Sequence, residues 1–96
     1  MPRGARVVIQ LTIYSRPGCH LCEEMKATVQ RAVRLSPEPA RVDEIDISSD
    51  ADLEARYGVD IPVLLVDGKK AAKHRVTEDA VVKILRARAG GAGKAG

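Results

Sequence analysis

A chain of 96 residues with 45% apolar and 30% charged side chains has the balance of one compact domain, which excludes a wholly disordered or collagen-like polymer. Two tyrosines and no Phe or Trp leave the core to Val, Ile, Leu and Ala, and stacking surfaces for single-stranded nucleic acid are missing. Sixteen basic against thirteen acidic residues, spread along the chain, give a net charge of +3, too mild a field to indicate a nucleic-acid partner.

From Val7 to Tyr14, Val7, Ile9, Leu11 and Ile13 share one face of an extended chain, which predicts a largely buried first strand. Ser15-Arg-Pro-Gly18 breaks it. After Cys19, the residues Leu21, Met25, Val29, Ala32 and Leu35 recur every three to four positions, so a helix begins at the cysteines and ends before Ser36-Pro-Glu-Pro39. Arg41 to Ile47 mixes Val and Ile with acids and reads as a charge-protected edge strand. Strand, helix, strand implies a parallel crossover.

Ser48 to Asp50 offer cap side chains to a short second helix, and Gly58 is assigned the left-handed position that closes it. Pro62 opens a strand through Val66. Asp67-Gly68 predicts a two-residue hairpin into a basic strand from Lys69 to Val76. Thr77 caps a last helix whose buried stripe is Val81, Ile84 and Leu85. Gly90 to Gly96 read as a flexible tail. The whole is a single α/β domain over 1–96 with an ordered core at about 7–89.

The longest apolar runs, Val7 to Ile13 and Ile61 to Val66, fall short of the about 20 residues that cross a bilayer. Met1 to Arg6 is basic but lacks a following small-residue cleavage site. The expectation is a cytoplasmic protein without a membrane partner.

Cys19 and Cys22 stand at i and i+3 across the start of a helix, close enough for a disulfide. They can cycle between dithiol and disulfide. The helix N-terminus favours a thiolate at Cys19, the expected nucleophile, while Cys22 lies a turn deeper and is the expected resolving thiol. Two inert cysteines or a metal pair are the alternatives. Zinc wants four ligands, and only His20 and His74 could complete a set, so no metal ligands are assigned.

Tyr14-Ser-Arg-Pro-Gly-Cys-His-Leu-Cys22, Tyr57-Gly-Val-Asp-Ile-Pro-Val-Leu64 and Asp67-Gly-Lys69 together resemble the thioredoxin-like superfamily, and within it the glutaredoxin-like proteins. The resemblance covers residues 7 to 89. It implies a four-stranded mixed sheet with three helices in the order β-α-β-α-β-β-α, helices on both faces, and a cis peptide before Pro62. It further implies a thiol-disulfide oxidoreductase, an electron carrier in cell redox homeostasis that needs no bound cofactor and uses glutathione or a thioredoxin-type system as reductant.

Its substrates would be disulfide-bearing proteins or small molecules, and a monomer is expected. By the same resemblance Arg16 binds a substrate carboxylate, the backbone of Ile61 pairs with an extended substrate, and Pro62 shapes the groove. His20 replaces the proline usual after the first cysteine, and the Gly-Gly that seats the γ-glutamyl end of glutathione is absent. Weak glutathione preference is therefore expected. Two other roles are the alternatives: a module that holds an iron–sulfur cluster between two protomers through Cys19, as the resemblance to glutaredoxins also implies, or a non-catalytic thioredoxin-like adaptor with vestigial cysteines.

Overall fold

The computed structural model describes residues 8–94. Four strands, β1 (Ile9–Ser15), β2 (Ala40–Asp46), β3 (Val63–Val66) and β4 (Lys69–Lys73), form one mixed sheet in the spatial order β2-β1-β3-β4. The helices are α1 (His20–Leu35), α2 (Ala51–Tyr57) and α3 (Glu78–Lys94), with a single 3-10 turn at Ile47–Ser49 before α2. Element order and sheet type are those the sequence predicts. Pairing of β1 with β2 is parallel, and β3 runs antiparallel to both β1 and β4.

Alternation along β1 decides the layers. Ile9, Leu11 and Ile13 are buried and pack with Met25, Val29 and Ala32 of α1, Leu64 and Val66 of β3, and Val81 and Leu85 of α3. Each such Leu or Ile contributes about 1.5–3 kcal/mol by leaving water. On the opposite face Tyr14 packs against Tyr57 at the end of α2, ring centroids 4.8 Å apart and ring planes tilted by 48°. Helices α1 and α3 therefore pack together on one face of the sheet, and α2 reaches the other. Leu35, the last member of the periodic stripe, is 66% exposed because the helix ends there and Ser36 turns extended ahead of Pro37.

Four local expectations change. First, β4 stops at Lys73 rather than Val76. His74 takes a positive φ of 69°, its amide donates to the Pro62 carbonyl, and the Arg75 amide turns back to the Lys73 carbonyl, which ends the ladder. The register also slips between Leu64 and Leu65, leaving Ala71 as the extra residue of a bulge.

Second, Gly58 is right-handed, at φ −53° and ψ −36°. Its lack of a side chain is required by close approach, since a Cβ there would stand 2.5 Å from the Glu54 carbonyl oxygen. Third, α3 runs on to Lys94, so residues 90–94 of the expected tail are helical despite the unfavourable helix propensity of Gly90, Gly91 and Gly93. Fourth, β1 begins at Ile9 with Val8 exposed before it, and Val7 lies outside the described residues.

The Asp67-Gly68 hairpin forms as predicted, with φ of 49° and 86° at the two central residues. Asp67 further accepts the Gln10 amide at 3.0 Å and the Arg88 guanidinium at 2.6 Å, tying the turn to β1 and α3. Its carboxyl is held below the ordinary value, first by the Gln10 amide and then by Arg88.

Candidate active site

The site is built where β1 hands over to α1. Ser15 ends the strand, Pro17 and Gly18 turn the chain, with Gly18 at φ 77°, and the Cys19 amide donates to the Arg16 carbonyl at 3.2 Å. Cys19 is the N-cap of α1 in extended conformation. Its sulfur accepts the Cys22 amide at 3.1 Å, replacing the hydroxyl or carboxylate that usually caps a helix. Cys19 and Cys22 are joined in a disulfide with Cα atoms 5.2 Å apart. Cys19 is partly exposed and Cys22 only 1% exposed. One sulfur thus meets solvent while the other is packed in the helix face.

The loop 58–62 approaches the same end of the sheet. Tyr14 pairs with Val63, so the register brings Pro62 level with the turn that leads to Cys19. Pro62 is buried behind a cis Ile61–Pro62 peptide, the conformation the resemblance implies. Ile61 is half-buried, and Val59 two residues earlier is 91% exposed.

Arg16 is placed differently from a free substrate cation. Its guanidinium forks onto Glu54 of α2, Nε to Oε2 at 3.0 Å and Nη2 to Oε1 at 2.6 Å, and Nη2 also donates to the Gly58 carbonyl at 3.3 Å. The hydrogen bond to Glu54 raises the Arg16 pKa above its ordinary value against partial desolvation, and the charges of Glu54 and Asp46 add to the rise. Glu54 and Gly58 are partners of the Arg16 side chain that sequence reasoning missed. Glu54 stands 38 positions from Arg16, and nothing in the spacing of either points to the other.

Behind the turn, the buried Ser15 hydroxyl donates to Glu44 at 2.8 Å, and Lys26 of α1 pairs with the same carboxylate at 3.0 Å. Burial would raise the Glu44 carboxyl, but the hydrogen bonds from Ser15 and Lys26 hold it below the ordinary value. On the other side of α1 an open groove of about 280 Å³ runs to the β4–α3 connection. Leu21, Met25 and Val76 give it an apolar lining, with Glu24, His74 and Arg75 as polar members. Among the described residues, no group of three or more His, Cys, Asp or Glu side chains is placed to hold a metal ion.

The chain that carries this disulfide pair, at a helix start beside a proline-led strand on a four-stranded sheet, is similar to known proteins. Residues 10–86 match the model of the Glutaredoxin-like domain (DUF836) family. The chain belongs to that glutaredoxin-like family. A Dictyostelium discoideum protein named as a glutaredoxin-like homologue is 33% identical over 75 residues, covering 74% of this chain and 69% of its own.

Among solved structures, protein Ne2328 from Nitrosomonas europaea is 28% identical with a TM-score of 0.70, over 88% of this chain and 99% of that one. A structural-genomics target from X. campestris is also 28% identical, at a TM-score of 0.64 over 80% and 96%. A mutant thioredoxin from Halobacterium salinarum shares the fold at 23% identity and a TM-score of 0.60, over 84% and 74% of the two chains. The glutaredoxin-like domain therefore covers most of the chain. No helix among the described residues is long and apolar enough to cross a membrane.

Proposed function

We propose that this glutaredoxin-like protein is a thiol-disulfide oxidoreductase. The observation that carries the reading is the unequal pair at the start of α1, a partly exposed Cys19 at the N-cap and a buried Cys22 already within disulfide distance. The helix N-terminus stabilises negative charge at Cys19, and the Cys22 amide is aimed at its sulfur. A thiolate there is both stabilised and accessible.

In the reducing direction, the Cys19 thiolate attacks one sulfur of a substrate disulfide, forming a mixed disulfide and expelling the first substrate thiolate. The Cys22 thiol then loses its proton and attacks the Cys19 sulfur, expelling the second substrate thiolate and forming the Cys19–Cys22 disulfide. Two electrons pass to the substrate, whose thiolates take up protons. A second dithiol, or two molecules of a monothiol such as glutathione, returns the enzyme to the reduced state. No bound cofactor enters the cycle.

Pro62 and the backbone of Ile61 form the wall of the substrate groove opposite the cysteines. An extended substrate segment would lie along that backbone as an added strand. The substrates are protein or low-molecular-weight disulfides, and the setting is the reducing cytosol, where a short-range cysteine pair serves turnover rather than stability. The absence of a Gly-Gly pair before α3 supports modest use of glutathione.

The direct test is single-turnover exchange with a model protein disulfide. Wild type should release both substrate thiols, Cys22→Ser should stop at a stable mixed disulfide on Cys19, and Cys19→Ser should release none. Unaltered substrate release by Cys19→Ser would remove the reading. Trapping with Cys22→Ser in cells then identifies the physiological partner.

A further inference from the structure

Arg16 lies three residues before Cys19, with its main chain in the turn that delivers Cys19 to the helix. Its side chain, however, is bound by Glu54 through two hydrogen bonds and by the Gly58 carbonyl through a third. The forked geometry matches the planar guanidinium to a carboxylate far better than a single lysine contact would. Gly58 makes the fit possible, since a Cβ there would stand 2.7 Å from Glu54 Oε1 and 3.2 Å from Arg16 Nη2.

We propose that Glu54 is a specificity-determining residue that occupies Arg16 as an internal carboxylate and thereby disfavours substrates carrying a carboxylate beside their disulfide. The inference rests on the thiol-disulfide reading and extends it to substrate charge. An anionic substrate must displace Glu54 from both nitrogens of the fork to use Arg16, leaving Glu54 facing it as a like charge. A neutral disulfide meets neither cost. The site thus favours disulfides without a local carboxylate, such as protein disulfides in uncharged segments, over small acidic ones. Glu54 acts through Arg16 and is a positioning residue, not a catalytic one.

The test reads the charge felt at Cys19 without requiring turnover. Reduced full-length protein is alkylated with iodoacetate and with iodoacetamide, and the rate ratio at Cys19 is followed by mass spectrometry. Glu54→Gln preserves side-chain size and releases Arg16, so the iodoacetate-to-iodoacetamide ratio should rise about threefold or more at low ionic strength. Arg16→Gln combined with Glu54→Gln removes the pair together, and its ratio should return to within about twofold of wild type.

An unchanged ratio in Glu54→Gln overturns the proposal. So does a ratio in the double variant far below wild type, which would mean that Arg16 already acts as a free cation. Steady-state assays with a dicarboxylate disulfide and a neutral one should show the same split, KM for the anionic substrate falling in Glu54→Gln while kcat for the neutral one holds. Failure of wild type to reduce either disulfide, alongside the expected alkylation ratios, would count against the thiol-disulfide reading alone.

Discussion

The Cys22 amide donates to the Cys19 sulfur at 3.1 Å while the Cys22 side chain itself is sealed from solvent at 1% exposure. In the proposed mechanism one residue therefore supplies both the group that stabilises negative charge on the nucleophile and the thiol that later attacks it. In the reduced protein the two thiols should differ in alkylation rate by at least about tenfold near neutral pH, Cys19 reacting first, because exposure and thiolate fraction act in the same direction. Mass-resolved alkylation of wild type checks this, and equal rates would contradict the assigned roles.

Core depth gives a second, independent expectation. Leu11 is fully buried at the centre of β1, between the layer of α1 and α3 and the strand β3, whereas Leu35 at the end of α1 is 66% exposed. Leu11→Ala should lower unfolding free energy by about 2–5 kcal/mol. Leu35→Ala should change it by no more than about 0.5 kcal/mol. Urea unfolding of the two variants separates a leucine that merely fits the helical period from one that the fold buries.

What the sequence made legible follows from the range of the interactions involved. The cysteine pair, the Asp67-Gly68 turn and the buried alternation of Ile9, Leu11 and Ile13 are local patterns, each readable within a few residues. The fork between Arg16 and Glu54 is long-range, and so is the steric demand on Gly58, which resembles an ordinary helix-closing glycine until the neighbouring guanidinium is placed. The end of β4 was obscured for a similar reason. Lys69 to Val76 carries no breaker residue, and it is the Pro62 carbonyl, just before the adjoining strand, that accepts the His74 amide where the chain turns.

Acid should loosen the tie between the hairpin and its neighbours. The Gln10 amide, and then Arg88, hold the Asp67 carboxyl below its ordinary value, so the folded state binds that proton less readily than the unfolded chain. The stabilisation is fully present above the unfolded-state pKa of about 3.9 and fades as pH falls through the lower folded-state value. Asp67→Ala should therefore cost stability at pH 7, by about 1–2 kcal/mol for the lost charge-assisted contacts, and progressively less below pH of about 4. Asp67→Asn retains a side-chain oxygen for the Gln10 amide and tolerates the positive φ, so it should lose less. Parallel thermal melts of wild type and both variants across acidic pH test this, and a penalty for Asp67→Ala that stays constant with pH would refute it.

Replacing Gly58 sets two opposed effects against each other. Its backbone lies in the right-handed region, where alanine restricts the unfolded chain and ordinarily gains about 0.4–1 kcal/mol. The contacts point the other way. An added Cβ would fall 2.5 Å from the Glu54 carbonyl oxygen, which already accepts the Gly58 amide at 2.8 Å, and 2.7 Å from Glu54 Oε1. The carboxylate can swing aside, but the carbonyl belongs to α2 and moves only with the helix backbone. Overpacking of this kind costs about 1–3 kcal/mol, so Gly58→Ala should be destabilising on balance, lowering the urea midpoint with little change in slope. Displacement of Glu54 also frees Arg16, so the same variant should raise the iodoacetate-to-iodoacetamide ratio at Cys19. Glu54→Ala combined with Gly58→Ala removes the carboxylate clash and leaves the carbonyl one, and a residual penalty in that pair assigns the cost to the α2 backbone. A gain in stability from Gly58→Ala alone would show instead that the close approach relaxes at no cost and that the Arg16–Glu54 fork does not depend on this glycine.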